Sequence, residues 1–148
     1  MLMQRITEDM KAAMKAGDKA RLSAIRMLRA AIKDKEIELG RAPDEAELVA
    51  LLSRLVKQRL DAARQYEEGG RAELAERERR EAEVYRAYLP EPLGADELAA
   101  LVEAAIAETG AAGMRDMGKV MAALKPRVQG RADMGEVSAL VREKLAGR

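Results

Sequence analysis

An all-helical fold is predicted for this 148-residue chain by its composition and by the spacing of its apolar residues. Ala, Leu, Glu, Lys and Arg dominate, β-branched residues are few, and Gly and Pro act as punctuation between stretches of helical apolar periodicity. With 48% apolar and 36% charged residues, a chain of this length can bury roughly 68–70% of its unfolded surface. That allows one or two compact domains.

Four helices are expected before residue 90. In the first, Ile6, Met10, Ala13 and Met14 recur at helical spacing, and Gly17 stops it. Asp18 is the expected N-cap of a second helix, whose stripe of Leu22, Ile25, Leu28, Ala31 and Ile32 runs to Gly40 and lets the two pack as a hairpin. Asp44, with Glu47 three residues on, forms a capping-box signature for a third helix, with Leu48, Leu51, Leu52, Leu55, Leu60 and Ala63 on its buried face and Gly69-Gly70 at its end. The fourth, from about Arg71 to Leu89, is heavily charged, so its first half is expected to lie partly exposed and its tyrosine end to be the anchor.

Pro90-Glu91-Pro92-Leu93-Gly94 cannot continue a helix. The expected organisation is therefore an N-terminal helical domain over residues 1–89, a Pro-containing linker over 90–94 and a small three-helix domain over 95–148. The last three helices are marked by Leu98, Leu101, Val102, Ala105 and Ile106; by Met117, Val120, Met121 and Leu124; and by Val137, Leu140, Val141 and Leu145. Asp133 and Glu136 repeat the capping-box signature.

Absences narrow the chemistry. Without Cys or His there is no zinc site built on those ligands, no thiol nucleophile, no disulfide and no Ser-His-Asp triad. Tyr66, Tyr85 and Tyr88 are the sole aromatic residues, too few for a platform that stacks single-stranded bases. The longest run without a charged residue is six, against the ~20 apolar residues of a membrane span, and the first residues contain no secretory-type apolar run. The resulting expectation is a cytoplasmic protein with no membrane partner, no metal and no cofactor. Ser23, Ser53 and Ser138 stand on helical segments with no activating group in sight, so no catalytic residue is assigned.

The net charge of +1 supplies no global field, so any polyanion must be met by a local patch. Between Arg115 and Arg131, five basic residues stand against Asp116 alone, a local charge of +4 beside two expected helix N-termini. The same charges also fit an ordinary solvated helix face. Gly113 to Lys119 has the G-x-x-x-x-G-K spacing of a phosphate-binding loop, but Val120 replaces the hydroxyl residue and the preceding segment reads as helix; the plainer reading is a turn that starts a helix. A second basic cluster, Lys11 to Lys35, borders apolar stripes, where long basic side chains are expected to cover the core edges with their stems. The seven glutamates from Glu67 to Glu83, including the pair Glu78 and Glu81, are interleaved with arginines and read as a solvated ion-pair lattice.

Several runs resemble the GatB/YqeY family, whose C-terminal region is similar to the tail of the B subunit of glutamine-dependent aminoacyl-tRNA amidotransferase. They are Met27 to Lys33 with Glu36-Ile37, Lys57-Gln58-Arg59, Tyr66 with Gly70-Arg71, Leu74-Ala75-Glu76 with Glu78 and Glu81, Tyr88-Leu89-Pro90, Asp116 to Met121, and Gly130 to Asp133. The resemblance spans nearly the whole chain and implies a stand-alone YqeY-like protein. It implies tRNA binding through Lys119, Lys125, Arg127 and Arg131, with Gly118, Gly130 and Asp133 shaping the backbone. The family description of carbon-nitrogen ligase activity with glutamine as amido-N-donor belongs to the whole amidotransferase, so the expected partners are tRNA and an amidotransferase or tRNA synthetase. A helical protein-interaction scaffold without RNA binding is the alternative, and an exposed apolar patch is its signature.

Overall fold

The computed structural model describes residues 1–147, and all its regular secondary structure is helical. The helices are α1 (Leu2–Ala16), α2 (Lys19–Leu39), α3 (Glu45–Glu68), α4 (Ala72–Arg86), α5 (Ala95–Thr109), α6 (Met117–Val128) and α7 (Met134–Ala146), with a single 3-10 turn, Met114–Asp116, before α6. The chain divides into two compact units, one ending at Leu89 and the other beginning at Pro90.

In the first unit, local chemistry sets the helix ends. Gly17 and Gly40 close α1 and α2 in the left-handed region that only glycine enters without strain. The Asp18 carboxylate accepts from the Arg21 N–H, and at the start of α3 Asp44 and Glu47 bond reciprocally to each other's backbone N–H. The α1–α2 hairpin joins the α3–α4 pair around Ile6, Ile25, Leu28, Ile32, Leu48, Leu52 and Tyr85.

Tyr85 of α4 and Tyr88 in the turn just after it lock these layers together. Tyr85 is buried and donates its hydroxyl to the Ala24 carbonyl at 2.9 Å, and Tyr88 donates to Asp9 at 2.6 Å while the Arg5 guanidinium lies 4.9 Å from its ring centre. Three expected core residues are displaced, one of them Leu22 of α2, which is only partly buried and lines an outward groove. Met14 is 53% exposed, because Ala13 already fills the last inward position of α1, and Leu60 is exposed while Val56 takes the inward place on α3.

In the second unit, Val102, Ala105 and Ile106 of α5, Val120, Leu124 and Val128 of α6, and Val137, Val141 and Leu145 of α7 form one core. Leu98, Leu101 and Leu140 pack at its edge, partly buried. Residues 91–93 are tied into this unit: Arg131 donates from Nε to the Glu91 carbonyl at 3.0 Å, and the Leu93 N–H donates to the Arg131 carbonyl at 2.8 Å. Asp133 accepts from the Glu136 N–H at 3.0 Å and caps α7, but by this single bond rather than the reciprocal box of α3.

Candidate nucleic-acid interface

The expected phosphate-contacting residues lie on and around α6, and the turn before it determines how they are presented. Gly110 ends α5 with a left-handed φ of 66°. The chain then folds back on itself: the Asp116 carboxylate accepts from the Ala112 N–H at 2.9 Å. Backbone donation from Ala112, with Lys119 and Arg115 nearby, holds this carboxyl below the usual aspartate range. Asp116 thus closes the 112–116 turn and makes no side-chain cap on α6.

Gly113 to Lys119 is no nucleotide cradle. A helix, α5, precedes it where a phosphate loop needs a strand, Gly113 is extended, and Gly118 already belongs to α6. A Cβ added at either glycine would meet nothing within 4 Å. Gly118 therefore occupies ordinary helix, whereas Gly130, at a φ of 80°, is the glycine that the backbone requires after α6.

The four cations are not equivalent. Lys119 and Lys125 are exposed and, among the described residues, make no ion pair. At about 100° per residue they project about 120° apart, on either side of a strip of small side chains at Gly118 and Ala122. Arg127 lies on the opposite flank of α6, where its guanidinium donates to Glu108 of α5 at 2.7 Å. That carboxylate raises the arginine's affinity for its proton. Arg131 is half-buried, with its Nε on the Glu91 carbonyl. The structure therefore brings Lys119 and Lys125 to one open face and commits Arg127 and Arg131 to contacts within the unit.

The glutamate-rich segment also departs from a solvated lattice at one point. Glu78 and Glu81 both face Arg59 of α3, at 3.4 and 3.5 Å, and the three side chains are only 16–24% exposed. Ser53 Oγ, Arg59 Nε and the facing oxygens of both glutamates are buried without a hydrogen-bond partner among the described residues. In the sequence Arg59 stood out only within the family-like run Lys57-Gln58-Arg59, since nothing in the spacing of α3 and α4 reveals which residues face each other between them. Among the described residues there is no group of three or more acidic side chains able to hold a metal ion, and no helix is long and apolar enough to cross a membrane.

The basic cluster on α1 and α2 is likewise only partly cladding. Arg29 does edge the core, donating to the Met10 sulfur at 3.1 Å. Arg26 and Lys33 do not, because they lie on the side of α2 turned away from Ile25, Leu28 and Ile32.

A family model described as Yqey-like protein matches residues 3–145 of the chain. Among curated proteins it is similar to "Altered inheritance of mitochondria protein 41, mitochondrial" of Clavispora lusitaniae, 37% identical over 97 residues that make up 65% of this chain and 56% of the relative. The protein of the same name from Lachancea thermotolerans is 40% identical over 57% of this chain and 46% of its own, and that from Saccharomyces cerevisiae is 37% identical over 55% and 44%. The chain thus spans about half the length of these relatives. Their mitochondrial names overturn the cytoplasmic expectation. That expectation looked for an apolar leader, and mitochondrial targeting segments are amphipathic and Arg-rich, a pattern that such a criterion does not register.

Proposed function

The chain belongs to the YqeY-like family, and from that premise we propose that it is a tRNA-binding accessory protein whose second unit grips phosphates through Lys119 and Lys125. Residues 95–148 then correspond to the tail of the amidotransferase B subunit, and the prolines at 90 and 92 mark the link to the N-terminal helices. The observation that carries this reading is the pair of exposed lysines on α6, without an ion pair among the described residues, beside an acid whose carboxylate is held by the backbone of its own turn.

Recognition is of shape and phosphate position, because two lysines flanking small side chains offer point charges and no base-reading fork. Arg127 and Arg131 serve as reserve cations, each needing to leave an internal contact before it meets RNA. Amide transfer and ammonia production lie with a partner amidotransferase, and this chain presents or stabilises the tRNA for that enzyme or for a tRNA synthetase.

Replacing Lys119 and Lys125 by Gln tests the reading. Removal of two phosphate contacts should weaken tRNA binding and reduce the magnitude of the log-log salt slope by about 2. Unchanged affinity and slope would remove the second unit from RNA contact.

A further inference from the structure

The outward face of α2 carries two rows of residues seven apart. Ser23, Ala30 and Ile37 form one, and Lys19, Arg26 and Lys33 the other. A seven-residue repeat keeps a seam on one side of a helix that winds around a partner helix. Here the seam has two small side chains and an isoleucine along one row, cations along the next and, among the described residues, nothing packed on it: Ser23, Ala30, Lys19, Arg26 and Lys33 are exposed, and Ile37 is 74% exposed.

The hollows in this face have the outline that a helix leaves for a neighbour. A groove of about 390 Å³ is lined by Lys19, Leu22, Ser23, Arg26, Met27 and Ala30. Those six residues are two overlapping sets at i, i+3, i+4 and i+7, the four-residue hole that receives one knob from a facing helix. A second groove, of about 350 Å³, shares Ala30 and continues from this face onto the α1 flank, between Met3 and the Arg29, Ile32, Lys33 and Glu36 side of α2. Ser23 and Ala30 floor the first groove because their side chains are short. Met27, 46% exposed at its rim, is a flexible side chain suited to moulding against a partner.

Charge decides what kind of helix fits. Among the described residues, Lys19, Arg26 and Lys33 make no ion pair. The acids on this side are Asp34 on the outward face and, at the two flanks, Glu36 and Glu38, of which Glu38 is paired with Lys35. A second α2 would set the cationic row against itself, so self-pairing is disfavoured. RNA would satisfy the cations but leave Met27, Ala30 and Ile37 against a polar surface. We propose that this face of α2 docks an acidic amphipathic helix of a partner protein, with apolar knobs over the Ser23–Ala30–Ile37 row and carboxylates opposite Lys19, Arg26 and Lys33. The site is separate from the α6 lysines and does not depend on them.

The test uses the full chain and two labelled synthetic helical peptides with the same Leu/Ala face, one flanked by Glu and the other by Lys, with unstructured poly-Glu and bulk tRNA as further probes. Binding is read by fluorescence anisotropy. The Glu-flanked peptide should bind at least ~10-fold more tightly than the Lys-flanked one. Ala30→Trp, which fills the shared hollow without changing charge, should lose that binding, and R26E/K33E should reverse the preference. Circular dichroism checks that these surface variants keep their helices. Failure of the Glu-flanked peptide to bind, equal binding of the two peptides, or indifference to Ala30→Trp would overturn the proposal. If poly-Glu or tRNA matches the helical peptide and is lost in R26E/K33E alone, the face is a polyanion site instead. A loss of tRNA binding in K119Q/K125Q that leaves peptide binding intact would show that the two surfaces act independently, as expected here.

Discussion

Arg127 of α6 donates to Glu108 of α5 at 2.7 Å, so one of the cations expected to meet phosphate is already held by a carboxylate of its own unit. Both side chains are substantially exposed, and water screens such a pair so that it contributes little to stability. Glu108→Gln should therefore leave the thermal midpoint nearly unchanged while freeing Arg127 for RNA. If tRNA lies along α6, the variant binds more tightly, with a salt slope steeper by about 1. A parallel titration of wild type and variant across salt concentrations reads both effects.

Gly135 is explained by its neighbour. A Cβ at this position would stand 3.0 Å from the Asp133 Oδ2 that caps α7, so the glycine leaves room for the cap. Gly to Ala in a helix gains about 1 kcal/mol by propensity, and disturbing an Asp cap costs about the same. Gly135→Ala should hence be near neutral in the wild type and stabilising by ~1 kcal/mol in an Asp133→Ala background. Equal effects in the two backgrounds, measured by urea unfolding, would separate the two residues.

Alkaline pH should weaken the first unit. Burial pushes Tyr85 and Tyr88 up to about 12 from the ordinary 10, and for Tyr88 the hydrogen bond to Asp9 adds to the effect. Because folding favours the protonated phenols, their stabilisation is complete below about pH 10 and is lost as pH rises toward 12. Tyrosinate absorbance should still be rising near pH 12, with unfolding alongside it. Tyr88→Phe should cost about 1 kcal/mol at neutral pH for the lost hydrogen bond and flatten the alkaline decline.

Arg59 of α3 lies against two carboxylates of α4, Glu78 and Glu81, that stand one turn apart and would otherwise repel each other. Removing the cation from a fully buried network costs about 3–5 kcal/mol; with this degree of exposure, Arg59→Met should cost about 1–3 kcal/mol. Adding Glu81→Gln should restore part of the loss. If the double variant is less stable than the single one, repulsion between the glutamates is not the source of the cost.

What was legible in the sequence is what depends on near neighbours. Gly17, Gly40, Asp18, Asp44 and Glu47 act within one turn of themselves, so their spacing alone sets the ends of α1, α2 and the start of α3. The buried stripe of α2 follows from 3.6-residue periodicity in the same way. Pairings across helices were not legible: Arg127 with Glu108 and Arg59 with Glu78 and Glu81 depend on which faces meet, which periodicity leaves open. Asp116 misleads for a related reason. Its place before Met117 looks like a cap, but its carboxylate turns back to Ala112. The outward rows of α2 were visible as letters but read as edge cladding, because only packing shows which side of a helix lacks a neighbour.

The most direct measurement is tRNA binding by the full-length wild type, K119Q/K125Q and R26E/K33E at two salt concentrations, with a DNA duplex of similar charge alongside. Salt-dependent binding that K119Q/K125Q weakens, with a slope smaller in magnitude by about 2, and that R26E/K33E leaves largely intact is the outcome expected of phosphate contact on α6. Binding unchanged in K119Q/K125Q would take RNA contact away from the α6 lysines, and absence of binding at low salt in the wild type would move the protein out of RNA recognition and leave the α2 face as its principal interaction surface.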